Sequence, residues 1–90
     1  MFLARVIGSV VSTVEHAALH GRKLLIVERI DPEGRPLGKT LLAIDSVDAG
    51  EGDTVLVVDE GGSAAMVTGL EEAPIRTVIV GVVDSVDLEE

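Results

Sequence analysis

Apolar residues in this chain fall into short runs, each bounded by glycine, proline or acidic residues. The run Phe2 to Val14 is rich in β-branched residues, which favour strands. Gly8 in its middle marks a bend or a close backbone approach. From Arg22 to Ile30 the side chains alternate: Leu24, Ile26 and Ile30 lie on one face, broken only by Glu28, and Leu25, Val27 and Arg29 on the other. Asp31-Pro32-Glu33-Gly34 then carries proline at the second turn position and glycine at the fourth, the type I preference. A hairpin to a third strand, Lys39 to Val47, follows, with Leu41, Ala43 and Asp45 on one side and Leu42, Ile44 and Ser46 on the other.

After the glycine-punctuated loop Asp48 to Asp53, Thr54 to Val58 is short and almost continuously apolar, the pattern of a strand buried on both faces. Two brief helical turns are expected next. Ser63 is placed to cap one running through Ala64, Ala65 and Met66, and a second, Leu70 to Ala73, is stopped by Pro74. The last strand is Arg76 to Val86, again with a glycine, Gly81, inside it. Five strands at regular spacing, with glycine at the corners, predict an all-β protein with one or two short helical turns, folded as a small five-stranded barrel. No linker, repeat or low-complexity tract divides the chain, so residues 1–90 form one domain.

Composition changes this picture by making the lone barrel marginal. For 9.4 kDa, folding to about 5,000 Å² from about 13,600 Å² buries about 63% of the surface. With about 60% of it apolar, burial contributes ~130 kcal/mol, against ~135 kcal/mol for ordering the chain. Small folds make up the difference with disulfides, metals or oligomerisation. The chain has no cysteine, which removes disulfides and thiolate metal sites and leaves oligomerisation. Phe2 is the only aromatic, so the core must be built from 15 valines, 6 isoleucines and 10 leucines.

The net charge of −9 is unevenly spread: residues 1–39 hold six bases and four acids, and residues 40–90 hold one base and twelve acids. That acidic half, with no stacking aromatics, argues against a nucleic-acid partner. No apolar stretch approaches the ~20 residues of a membrane helix, and the first residues lack a secretory leader pattern, so a cytoplasmic protein with no membrane partner is expected.

Candidate chemistry is sparse. His16 and His20 lie four apart, but the segment is not convincingly helical and a zinc site needs at least three protein ligands; no metal site is assigned. The carboxylates Asp45, Asp48, Glu51 and Asp53 miss the EF-hand spacing and read as turn chemistry, with Asp45 accepting bonds from backbone amides. Gly50-Glu51-Gly52 and Gly61-Gly62-Ser63 could each nest an anion, yet neither matches a dinucleotide or phosphate-loop motif. Ser63 has no histidine near it in sequence, so no catalytic residue and no cofactor site are assigned.

Taken in order, these segments resemble the EutN/CcmL family across nearly the whole chain. Ala4 to Thr13 is similar to the family's first strand, and His20 to Val27 to its second, "L-x-G-x-K-L-L-x-V". Ala43 to Leu56 resembles "A-x-D-x-x-G-A-G-x-G-D-x-V", Gly61 to Ala65 resembles "G-S-S-A-R", and Pro74-Ile75 with Ile79 to Asp84 resembles the closing "P-V…I-V-G-I-V-D". Departures are Asp48 where the family usually has glycine, Ala65 where it has arginine, and Glu15-His16 where a lysine is common.

The resemblance implies an OB-like barrel that assembles into a cyclic homopentamer and caps the vertices of a polyhedral microcompartment shell, with hexameric shell proteins as partners. It implies no enzyme activity. On the family pattern and their small side chains, Gly61, Gly62, Ser63, Ala64 and Ala65 are expected near subunit contacts or the five-fold axis, and Asp45, Ala49, Gly50 and Gly52 in a loop near assembly contacts. Two rival readings are a stand-alone oligomeric OB-like module that binds a small anion or peptide through its glycine loops, and a metal-dependent enzyme using His16, His20 and a carboxylate.

Overall fold

A computed structural model describes residues 1–10, 23–59 and 76–88. They form five strands, β1 (Phe2–Ser9), β2 (Leu24–Ile30), β3 (Pro36–Asp45), β4 (Thr54–Asp59) and β5 (Thr77–Val82), closed into a barrel in the order β1-β2-β3-β5-β4. The five-stranded barrel expected from the pattern is present, and the two expected helical turns lie outside the described residues.

Strand ends differ from the sequence expectation, for local reasons. β1 ends at Ser9, although Val10 N still donates to Leu24 O at 3.0 Å, and the expected continuation to Val14 lies outside the described residues. β3 begins three residues early, because the Asp31–Gly34 turn closes tightly enough for Ile30 to pair with Pro36. It ends at Asp45, whose carboxylate accepts from Val47 N and bends the chain away. β5 ends at Val82 because Val83 N donates to Thr54 O, the first residue of β4, beyond which that partner strand has run out.

Alternation sorts side chains into two shells. The interior cluster holds Ala4 and Val6 of β1, Leu25 and Val27 of β2, Ala43 of β3, Val55 and Val57 of β4 and Ile79 of β5. Cross-strand pairs such as Val6 with Val27, Leu25 with Ala43 and Val57 with Ile79 bring these residues face to face. Small and β-branched residues fill a narrow barrel without rings, each fully buried valine contributing about 1.5 kcal/mol or more. The one aromatic, Phe2, packs against this cluster, with the Arg29 guanidinium 4.6 Å from its ring centroid.

A second buried rung, Leu24, Ile44, Val78 and Val58, crosses four strands on the opposite face. Val57 and Val58 are therefore buried on both sides of β4, as its unbroken apolar run predicted. The barrel is least complete between β3 and β5, which run parallel and pair only at Ile44 with Val78 and Asp45 with Ile79. Side chains extend the seam: Ser46 Oγ donates to Ile79 O at 2.6 Å, and Thr77 Oγ1 donates to Leu42 O. Among the described residues, β3 from Pro36 to Leu42 thus pairs on one side only. Pro36, Gly38 with φ of 75° and Lys39 guard that edge against further strand pairing.

Candidate functional site

The segment from Asp45 to Asp53 is the most constrained loop among the described residues. Asp45 closes β3 with a side chain only 2% exposed, and its two oxygens accept from Val47 N at 3.0 Å and Ala49 N at 3.0 and 3.2 Å. Those bonds fold the chain so that Ala49 points into the barrel and joins the interior cluster as a plug. Lys23, just before β2, holds the loop from the other side: Nζ donates to Ala49 O at 2.7 Å and lies 3.6 Å from Asp45 Oδ2 and 3.4 Å from Asp48 Oδ1. Asp45 N also donates to Lys23 O. A buried carboxylate is stable only when its oxygens are satisfied, and here three amide contacts and one ammonium do so.

The second half of the loop is bound to β1. Gly52 N donates to Val6 O at 2.8 Å and Val6 N donates to Asp53 O at 2.9 Å, while Gly50 N and Asp53 Oδ2, and Asp53 N and Gly50 O, close a reciprocal turn. Gly52 has φ of 91°, a conformation that glycine adopts without strain. Asp48 adopts φ of 59°, the left-handed region where a residue with a Cβ is strained, although aspartate tolerates it better than most.

Of the residues singled out from sequence, Asp45, Ala49, Gly50 and Gly52 thus come together in this one loop. Asp45 bonds backbone amides as expected. The amides of Ala49, Gly50, Gly52 and Asp53 are all taken by acceptors of the same chain, which argues against the anion nest considered at Gly50-Glu51-Gly52. Gly61, Gly62, Ser63, Ala64 and Ala65 lie outside the described residues, as do His16 and His20. Sequence reasoning missed Lys23 as the tie of this loop. The available signal was a single lysine beside a strand in a chain whose acids are concentrated elsewhere.

A cleft of about 260 Å³ lies on another face, floored by Leu3, Arg5, Ile30 and Thr54 and walled by the Asp31–Gly34 turn and Val83 to Val86. Arg5 donates to Gly34 O at 3.3 Å, and Arg35 pairs with Asp31 at 2.8 Å and Glu33 at 2.6 Å. The cleft presents Asp84 and Ser85 but no nucleophile held by a base, so its chemistry is that of a surface groove. No group of three or more histidine, aspartate or glutamate side chains is placed to hold a metal among the described residues.

Comparison with known proteins gives consistent matches. Residues 1–84 match the family model described as ethanolamine utilisation protein EutN/carboxysome. The chain is 45% identical over 86 residues to the bacterial microcompartment shell vertex protein EutN of Escherichia coli strain K12, covering 96% of this chain and 90% of that protein. It is 41% identical to the shell vertex protein GrpN of Rhodospirillum rubrum strain F11, covering 97% of each. The solved structure of GrpN, described as a pentameric microcompartment shell protein, superposes with a TM-score of 0.84 at 39% identity over 99% of this chain and 100% of that one.

Proposed function

Since this chain belongs to the EutN/CcmL family, we propose that it is a structural protein whose homopentamers occupy the vertices of a polyhedral bacterial microcompartment shell. The observation that carries this reading is the superposition on a pentameric shell protein over 99% of this chain and 100% of that one. The barrel suits the role. Its described loops are tied to the barrel by their own hydrogen bonds, and its aliphatic exterior leaves surface for neighbouring copies. Flat layers of six-fold tiles do not close into a polyhedron, and five-fold units supply the missing curvature. The partners on this reading are copies of the chain itself and hexameric shell proteins around the pentamer's rim. The protein's work is to supply shape, not reaction chemistry.

The test is co-expression with shell hexamers, read by electron microscopy of the purified particles. The expected result is five-fold density at the vertices when this protein is present and open vertices when it is omitted. Particles with identical filled vertices in its absence would overturn the assignment.

A further inference from the structure

The cleft beside the β2–β3 turn is lined by two opposite charges that have no match. Arg5 sits on its floor, and Asp84 lies on the wall formed by Val83 to Val86, the segment that follows β5. Glu28 lies opposite Arg5 in the β1–β2 register, yet among the described residues Arg5 makes no ion pair. Its guanidinium reaches the turn instead. Nη1 donates to Gly34 O at 3.3 Å, and a Cβ on Gly34 would stand 3.2 Å from Nη2, so the turn backbone packs on the guanidinium and holds it at the cleft. The wall's other carboxylates, Asp31 and Glu33, are both taken by Arg35, at 2.8 and 2.6 Å. Among the described residues, Asp84 has no cation.

The register brings these two charges within reach of each other. Arg5 pairs with Thr54 of β4, and Thr54 O accepts from Val83 N at 2.8 Å. With neighbouring strands about 4.8 Å apart, Val83 lies about 10 Å from the Arg5 backbone across β4, and Asp84 is the next residue. The long stem of an arginine and the short one of an aspartate span that gap together. Beyond Val83, the backbone of the segment makes no further hydrogen bond among the described residues, and Asp84 to Leu88 are all exposed. The segment is thus attached at one end only, and its Val86 lines the same cleft as the apolar Leu3 and Ile30.

We propose that Val83 to Leu88 is a strap that closes over this cleft, with the Asp84 carboxylate on the Arg5 guanidinium and Val86 on Leu3 and Ile30. Arg5 is already held by the turn, so forming the pair orders one short side chain where an exposed pair of long ones would cost more entropy. The apolar floor keeps water from one side of the pair, which strengthens the attraction. A cleft of about 260 Å³ leaves room for the valine side chain. Closure ties the exit of β5 to the β2–β3 turn, and salt, by screening the charges, opens it again.

The experiment is methyl NMR on the parent chain in its native assembly, reading cross-relaxation between the methyls of Val86 and those of Leu3 and Ile30. These cross-peaks are expected at low ionic strength and should weaken by about two- to five-fold in about 1 M NaCl. Asp84→Asn and Arg5→Gln are each expected to weaken them by a similar factor, and Arg5→Lys, which keeps the charge, to retain them. Asp84→Asn changes only an exposed side chain outside the strands, so it folds as the parent does and carries the test should an Arg5 variant unfold. Cross-peaks that are absent from the parent, or equally strong in Asp84→Asn, overturn the strap. Cross-peaks that arise only between differently labelled copies in a mixed sample overturn it as well, because the segment then lies on a neighbour.

Discussion

The carboxylate of Asp45 holds a loop and a core residue in place at once. Replacing it with alanine leaves the Ala49 amide, buried at the mouth of the barrel, without an acceptor, and frees Lys23 from its more buried partner. Asp45→Ala is therefore expected to lose about 2–3 kcal/mol of stability, read as a lower midpoint in urea. Asp48 poses a different question, whether its charge or its backbone matters. Its side chain is 97% exposed, so its ion pair with Lys23 is worth little. Asp48→Asn, which still tolerates φ of 59°, is expected to change stability by less than about 0.5 kcal/mol, and Asp48→Val to cost about 1–2 kcal/mol. Equal losses in the two variants would show that charge governs the site. At this scale the sequence was partly legible: an aspartate before a glycine-rich stretch announces turn chemistry. Lys23 was not, because it lies 26 residues from the carbonyl it bonds, and no local pattern encodes that meeting.

Among the elements, the β2–β3 hairpin was read most directly. Its proline and glycine occupy the positions the turn demands, and Gly34 N donates to Asp31 O at 2.9 Å. Asp31 accepts from Arg35 N and Glu33 N, and the Arg35 backbone amide, followed by its guanidinium, holds the Asp31 carboxyl below its ordinary value of 3.8. A carboxyl depressed by folding contributes above its unfolded pKa and loses that contribution as pH falls through the lower folded value. The turn is thus expected to hold unchanged down to about pH 4 and to loosen below it. The backbone amide resonances of Glu33 and Arg35 should shift with a midpoint below 3.8 in an NMR titration, and a midpoint above it would contradict the hydrogen-bond account. The strand ends were less legible than the turn. β5 stops earlier than its apolar run, because a strand persists only while a neighbour offers hydrogen bonds, and β4 offers β5 none beyond Thr54.

For the whole molecule, burial and chain entropy nearly cancel in a lone subunit, so association is expected to contribute to stability. The unfolding midpoint is expected to rise with protein concentration under reversible conditions, measured by circular dichroism across a hundred-fold range. A midpoint that stays flat would mean that the barrel is stable alone and the ring incidental. That cancellation, the number of strands, the hairpin turn and the need for a core without rings all follow from local pattern and composition, which the sequence carries in full. Only the tertiary structure decided that β3 and β5 lie side by side in parallel and that Lys23 meets Asp45. Those outcomes depend on register, and a slip of one residue turns a strand's faces over without altering its apolar periodicity.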